Sequence, residues 1–182
     1  MSEQDTNNDE KSLFSKSCMQ GGLFLGALNV VVAVIANLMF GDDSLLFVYA
    51  MTIGMAAISA AVIVQTTMGY KSLCKEKFTY IRSLQTMIIT SFFGSIILIL
   101  ASFLFLKYNP GFVADFFDKL IEAIKSIPEM EDMQSMYEEY KKIYMGMSTM
   151  QISIQFGWTF IIFAMIFSLI ASIFTTLRKE KK

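Results

Sequence analysis

The chain has 182 residues, 54% of them hydrophobic and 17% charged, with a net charge of −1 and no histidine. Its mean hydropathy of +0.52 is too high for an ordinary soluble domain, and the length leaves no room for a separate soluble catalytic domain beside the apolar segments. A near-neutral charge gives no electrostatic footprint for nucleic acid, and without imidazole the usual zinc ligand sets and the commonest general base are missing.

Residues 18–40, 44–70, 83–106 and 143–177 carry no charged side chain. Each stretch reaches the roughly 20 residues that a helix needs to cross a hydrocarbon layer about 30 Å thick. The pattern predicts an all-α, integral membrane four-transmembrane-helix bundle with an external amphipathic helical hairpin between spans three and four, forming a single membrane domain over 1–182. Its spans are placed at about 18–40, 45–69, 84–106 and 150–177, its external loop at 107–142, and its tails at 1–17 and 178–182.

Ahead of the first span stand Lys11 and Lys16, and Val34-Ile35-Ala36 resembles a small-residue cleavage site. The apolar run is about twice the length of a signal-peptide core and is followed almost at once by a second span, so an uncleaved helix is expected. Gly22 and Gly26, backed by Gly21, form a GxxxG step, and Asn29 lies one turn further on. Such spacing lets a neighbouring helix approach closely, either within one bundle or in a homo-oligomer built on that face. Cys18 and Cys74 form no CxxC pair and are expected as reduced thiols.

In the later spans small residues recur at fourfold spacing, as in Ala50/Gly54, Ala56/Ala60, Ser91/Ser95, Ser153/Gly157 and Ala164/Ser168/Ser172. No Asp, Glu, Lys, Arg or His falls inside any predicted span, so the usual signature of proton relays and ion-coupled carriers is missing. The polar residues there are Asn29, Asn37, Gln65, Gln151 and Gln155 with scattered Ser and Thr. Their expected role is interhelical hydrogen bonding, with a polar pore lining as the alternative.

Asn109-Pro110 ends the third span. Val113, Phe116, Phe117, Leu120, Ile121 and Ile124 then follow at i, i+3, i+4, i+7, i+8 and i+11, which predicts an amphipathic helix closed by Pro128. Phe117, Leu120, Ile121 and Ile124 are the candidate partner or interface residues, since an apolar stripe outside a bilayer needs a cover. A second stripe, Met130, Met133, Tyr137, Tyr140, Tyr144 and Met147, leads to the fourth span without a strong breaker before Gly146. The uncharged run 143–177 would measure about 52 Å as one helix, so the fourth helix is expected to project beyond the membrane. Met130, Met133 and Met136 spell MxxMxxM, a pattern that Cu(I) can use, but at helical spacing the sulfurs fan apart and packing is the simpler role.

Charge sets the expected orientation. The N-terminal tail, the second connection with Lys71, Lys75, Lys77 and Arg82, and the C-terminal tail with Arg178, Lys179, Lys181 and Lys182 hold ten of the fifteen basic residues. The other side has Asp42, Asp43 and a loop in which acids outnumber lysines. The positive-inside rule puts both termini in the cytoplasm. All seven tyrosines lie at or near a span end, where an amphipathic ring suits the headgroup layer.

Catalytic constellations are scarce: no Ser stands in GxSxG spacing, and acid pairs such as Asp42/Asp43 and Glu131/Asp132 fall in solvated segments. A non-enzyme with no catalytic, cofactor-binding or metal-binding residues is therefore expected.

Several short runs carry a family resemblance. They are Gly21-Gly22-Leu23-Phe24-Leu25-Gly26 in the first helix, Gly69-Tyr70-Lys71 opening a basic loop and Phe78-Thr79-Tyr80 leading into the third span. Asn109-Pro110-Gly111-Phe112 and Phe167-Ser168-Leu169-Ile170-Ala171-Ser172-Ile173 follow in the same order. The chain resembles the uncharacterised four-helix membrane proteins grouped as domain-of-unknown-function family 4199. The resemblance covers nearly the whole chain and implies a bacterial inner (cytoplasmic) membrane protein, without supplying an activity. The expected function is a scaffold, assembly or partner-binding protein whose partners are the lipid bilayer and either further copies or another membrane protein. The alternative is a small oligomeric transporter or channel for a neutral or apolar solute.

Overall fold

The computed structural model describes residues 3–40, 45–74, 77–125 and 131–177. These form six helices: α1 (Glu3–Phe40), α2 (Leu45–Leu73), α3 (Tyr80–Tyr108), α4 (Phe112–Lys125), α5 (Glu131–Met145) and α6 (Thr149–Leu177). No strand occurs among the described residues. Four helices, α1, α2, α3 and α6, are long and apolar enough to cross a membrane. Asp42, Asp43, Lys75, Pro128, Met130 and the basic residues of 178–182 lie outside the described residues, as do the side chains of Asn37, Tyr49, Glu131 and Asp132.

Local chemistry places the helix ends. Thr79 caps α3 by accepting the Arg82 N–H on its hydroxyl at 3.3 Å. At the other end Asn109 closes α3, its backbone N–H reaching the Phe105 carbonyl at 3.0 Å. Pro110 has no N–H to extend the ladder, and α4 starts two residues later.

Helix α6 coincides with the span expected at 150–177 to within one residue, and at two places the helices start or stop where the uncharged runs do not. α1 begins at Glu3, well before Cys18, so the polar segment ahead of the apolar run continues the same helix. In that segment Phe14 packs its ring 5.4 Å from Tyr70. The run 143–177, in contrast, is not one helix. α5 stops at Met145, and the Gly146 N–H falls back on the carbonyls of Lys142 and Ile143 at 3.2 and 3.1 Å. Ser148 then starts α6 with a capping box: its hydroxyl accepts the Gln151 N–H at 3.3 Å, while Gln151 Oε1 accepts the Ser148 N–H at 2.8 Å. The fourth long helix is therefore 29 residues, about 44 Å, and does not run on into the preceding loop.

α3 is the central helix, packed against α1 on one side and α6 on the other, with α2 lying against α1 and reaching α3 and α6. Paired residues fix the directions. Cys18 of α1 meets Thr86 of α3, and Gly26 meets Gly94, so α1 and α3 are parallel. Gly21 meets Thr66 and Asn29 meets Ser59, while Ser83 meets Thr175 and Ile99 meets Gly157, so α2 is antiparallel to α1 and α6 to α3. A core of Leu25, Val62, Ile63, Met87, Ala164 and Ala171 draws on all four helices.

Candidate functional site

The α1–α3 contact is built on glycine. A Cβ at Gly22 would stand 2.6 Å from the Thr90 carbonyl oxygen, and one at Gly26 would stand 2.9 Å from that of Gly94. No side chain fits at either position without parting the helices, because real Cβ atoms do not approach backbone oxygen so closely. The GxxxG face is thus occupied by α3 of the same chain. Of the two expected uses of that face, close approach within one bundle is the one this contact supplies.

Asn29 is fully buried and forms a two-way hydrogen bond with Ser59: Nδ2 donates to Oγ at 2.9 Å, and the hydroxyl lies 3.3 Å from Oδ1. Most of the other buried hydroxyls turn inward on their own helix. Thr67, Thr86, Ser91, Ser153, Ser168 and Ser172 each donate to the carbonyl four residues back. A hydroxyl engaged in this way behaves towards its neighbours as a small packing residue. The expectation of mainly interhelical bonds therefore gives way to mainly intrahelical ones, with Asn29–Ser59 and Ser83–Thr175 as cross-links. The glutamines do not converge either: Gln65 and Gln155 are exposed on different helices, and Gln151 caps α6.

A second polar cluster sits where α2 and α6 end and α3 begins, alongside α1. Lys71 is 8% exposed, and its Nζ donates to the carbonyls of Thr175 at 2.9 Å and Thr176 at 3.2 Å. These belong to the last turn of α6, whose carbonyls have no intrahelical partner and carry the negative end of the dipole. The ammonium also stands 5.7 Å from the centre of the Phe78 ring. Nearby, Arg82 of α3 pairs with Glu10 of α1 at 3.2 Å, and Tyr70 lies between Phe14 and Phe78 with ring centres 5.4 and 6.1 Å away. One cation thus ties α2 to α6, and one ion pair ties α3 to α1. Sequence reading placed Lys71 among the basic residues of a connection; the spacing from Tyr70 gave no sign that it turns under α6.

The α4 stripe is also largely taken up within the chain. Phe117, Ile121 and Ile124 are buried where α4 packs on α5, and the Phe117 ring lies 5.4 Å from that of Tyr144. Lys141 pairs with Asp118 along one edge. Of the four interface candidates only Leu120 stays half-buried. Among the described residues no group of three or more His, Cys, Asp or Glu is placed to hold a metal ion, and Met133 and Met136 are exposed on α5.

The geometry defines an all-helical protein with four long apolar helices and a separate pair of amphipathic ones. The chain belongs to the family described as "Protein of unknown function (DUF4199)", whose profile matches residues 20–176. No curated protein and no solved structure shows significant similarity to it.

Proposed function

We propose that this is a multi-pass membrane protein of the bacterial inner membrane, both termini cytoplasmic, that acts as a non-enzymatic scaffold, assembly or partner-binding protein. The observation that carries this reading is the way the interior is filled. Gly22 and Gly26 let α1 close on α3, and most buried hydroxyls of α3 and α6, among them Ser91, Ser168 and Ser172, donate to carbonyls of their own helix. An interior engaged with itself suits a rigid membrane anchor better than a solute path. Orientation follows from charge: the ends joined by Lys71, Thr175, Arg82 and Glu10 are those flanked by the basic segments.

The rival reading is a small transporter for a neutral or apolar solute, which would require several copies around a pathway. Crosslinking in native membranes, paired with solute-flux assays on reconstituted vesicles, separates the two. Capture of a defined membrane partner with no flux above empty vesicles supports the scaffold. Saturable flux of a neutral solute, with only self-crosslinks, overturns it.

A further inference from the structure

The two amphipathic helices share an apolar side that the chain leaves open. On α4, Phe117, Ile121 and Ile124 face α5, with Asp118 turned to one edge and Phe116 and Leu120 to the opposite one. On α5, Tyr144 faces α4 and Lys141 lies at the edge that meets Asp118. At about 100° per residue, Met133, Met136, Tyr140 and Ile143 fall together on the edge of α5 away from Lys141. In an antiparallel pair those two edges lie on the same side. The pair is therefore a plate with a salt-bridged side and an apolar side, and on the apolar side the four α5 residues are 38% to 47% exposed.

Both ends of the apolar side continue the outer surface of the long helices. Phe105, which is exposed near the end of α3, stacks edge-on with Phe112 at 4.8 Å, and Phe112 lies 6.3 Å from Phe116. At the other end Ile143 leads through Met147 to Met150 and Ile154, both exposed on α6. The joints are short, three residues between α3 and α4 and three between α5 and α6, so the plate cannot leave the ends of the helices that hold it. Given the membrane reading proposed above, on which this inference rests, the surface that continues into the plate is the surface that faces lipid.

We infer that the α4–α5 plate lies on the bilayer, with the side formed by Phe116, Leu120, Met136, Tyr140 and Ile143 in the boundary between headgroups and acyl chains. A tyrosine on the apolar side suits the headgroup layer; because acids outnumber lysines seven to four over α4 and α5, apolar area and not attraction to anionic lipid is what seats the plate. The charged side, with Asp118 and Lys141, faces water.

The test uses the full chain with Cys18→Ala and Cys74→Ala, reconstituted in vesicles of phosphatidylethanolamine and phosphatidylglycerol. Single variants Met136→Cys, Ile143→Cys, Glu122→Cys and Phe163→Cys carry an environment-sensitive fluorophore. Lipids brominated near the headgroup should remove most of the emission from positions 136 and 143 and little from 122, and aqueous iodide should do the reverse. Position 163, in the middle of α6, reports the spans through deeply brominated lipid. Quenching at 163 with iodide access at 136 and 143 overturns the inference and leaves the membrane reading standing; loss of lipid quenching at 163 overturns both. Protection of 136 and 143 from both quenchers places protein on the plate and also overturns it.

Discussion

Lys71 of α2 donates from Nζ to the Thr175 carbonyl of α6 at 2.9 Å, and Thr175 in turn shares a 2.7 Å hydroxyl contact with Ser83 of α3. One residue in the last turn of α6 thus joins three helices. Desolvating an ammonium is costly, and the arrangement offsets that cost with two carbonyls, a helix C-terminus and an aromatic face.

Replacing Lys71 with Met keeps the aliphatic volume and removes the donor, leaving the Thr175 and Thr176 carbonyls without it. The expected destabilisation is about 1–3 kcal/mol, read as a lower melting temperature in detergent. Lys71→Arg should recover part of it. A melting temperature equal to wild type in the Met variant would show that the contact contributes nothing.

Gly26→Ile inserts a branched side chain where even a Cβ would meet the Gly94 carbonyl. Folded yield should fall sharply, because the opposing atom is backbone and cannot turn aside. Since α3 of the same chain covers this face, any self-association of the surviving protein should be unchanged. Reduced crosslinking between copies at normal folded yield would favour the oligomer reading of Gly22 and Gly26.

What could be read from the sequence follows from what each pattern encodes. Uncharged runs report burial in an apolar medium whichever helix lies alongside, so the four long helices were legible. GxxxG reports that something approaches closely but not what, and the identity of α3 as the neighbour needs the paired directions of the helices. Lys71 was misread because a basic residue at a span end has the same appearance whether it is solvated or folded beneath another helix. The break before α6 had a signal, Ser148 and Gln151 at capping-box spacing, which the absence of charge over 143–177 obscured. The stripe Phe117, Ile121, Ile124 was legible as an apolar face; that α5 covers it depends on the offset between two helices.

The capping box makes its own prediction. Ser148→Ala removes the acceptor for the Gln151 N–H and should lower stability by about 1 kcal/mol. Ser148→Asp, which restores an acceptor at a helix start, should recover it. Thermal melts of the three proteins in one detergent check this, and an Asp variant no better than Ala would mean that the cap does not hold α6.

Orientation is tested with reporter domains. Fusions after Asp43 and Lys125 should read as external, and fusions after Cys74 and Lys182 as cytoplasmic, because the basic segments resist translocation. A cytoplasmic signal at Lys125 would reverse the assignment.

The packing of α4 on α5 separates an internal role for the stripe from a partner-binding one. Ile121→Asp places a carboxylate among Phe117, Ile124 and the facing residues of α5, where the cost of an unpaired charge is several kcal/mol. The plate should open while the four long helices, which share no core residue with it, remain folded. Limited proteolysis should then show new cleavage between residues 109 and 148, with the melting temperature of the remaining protein little changed. Leu120→Asp, at a half-buried position beside the contact, should have a smaller effect on cleavage. If Ile121→Asp leaves the protease pattern untouched, α4 and α5 do not depend on this contact in the membrane, and the stripe is free for another partner.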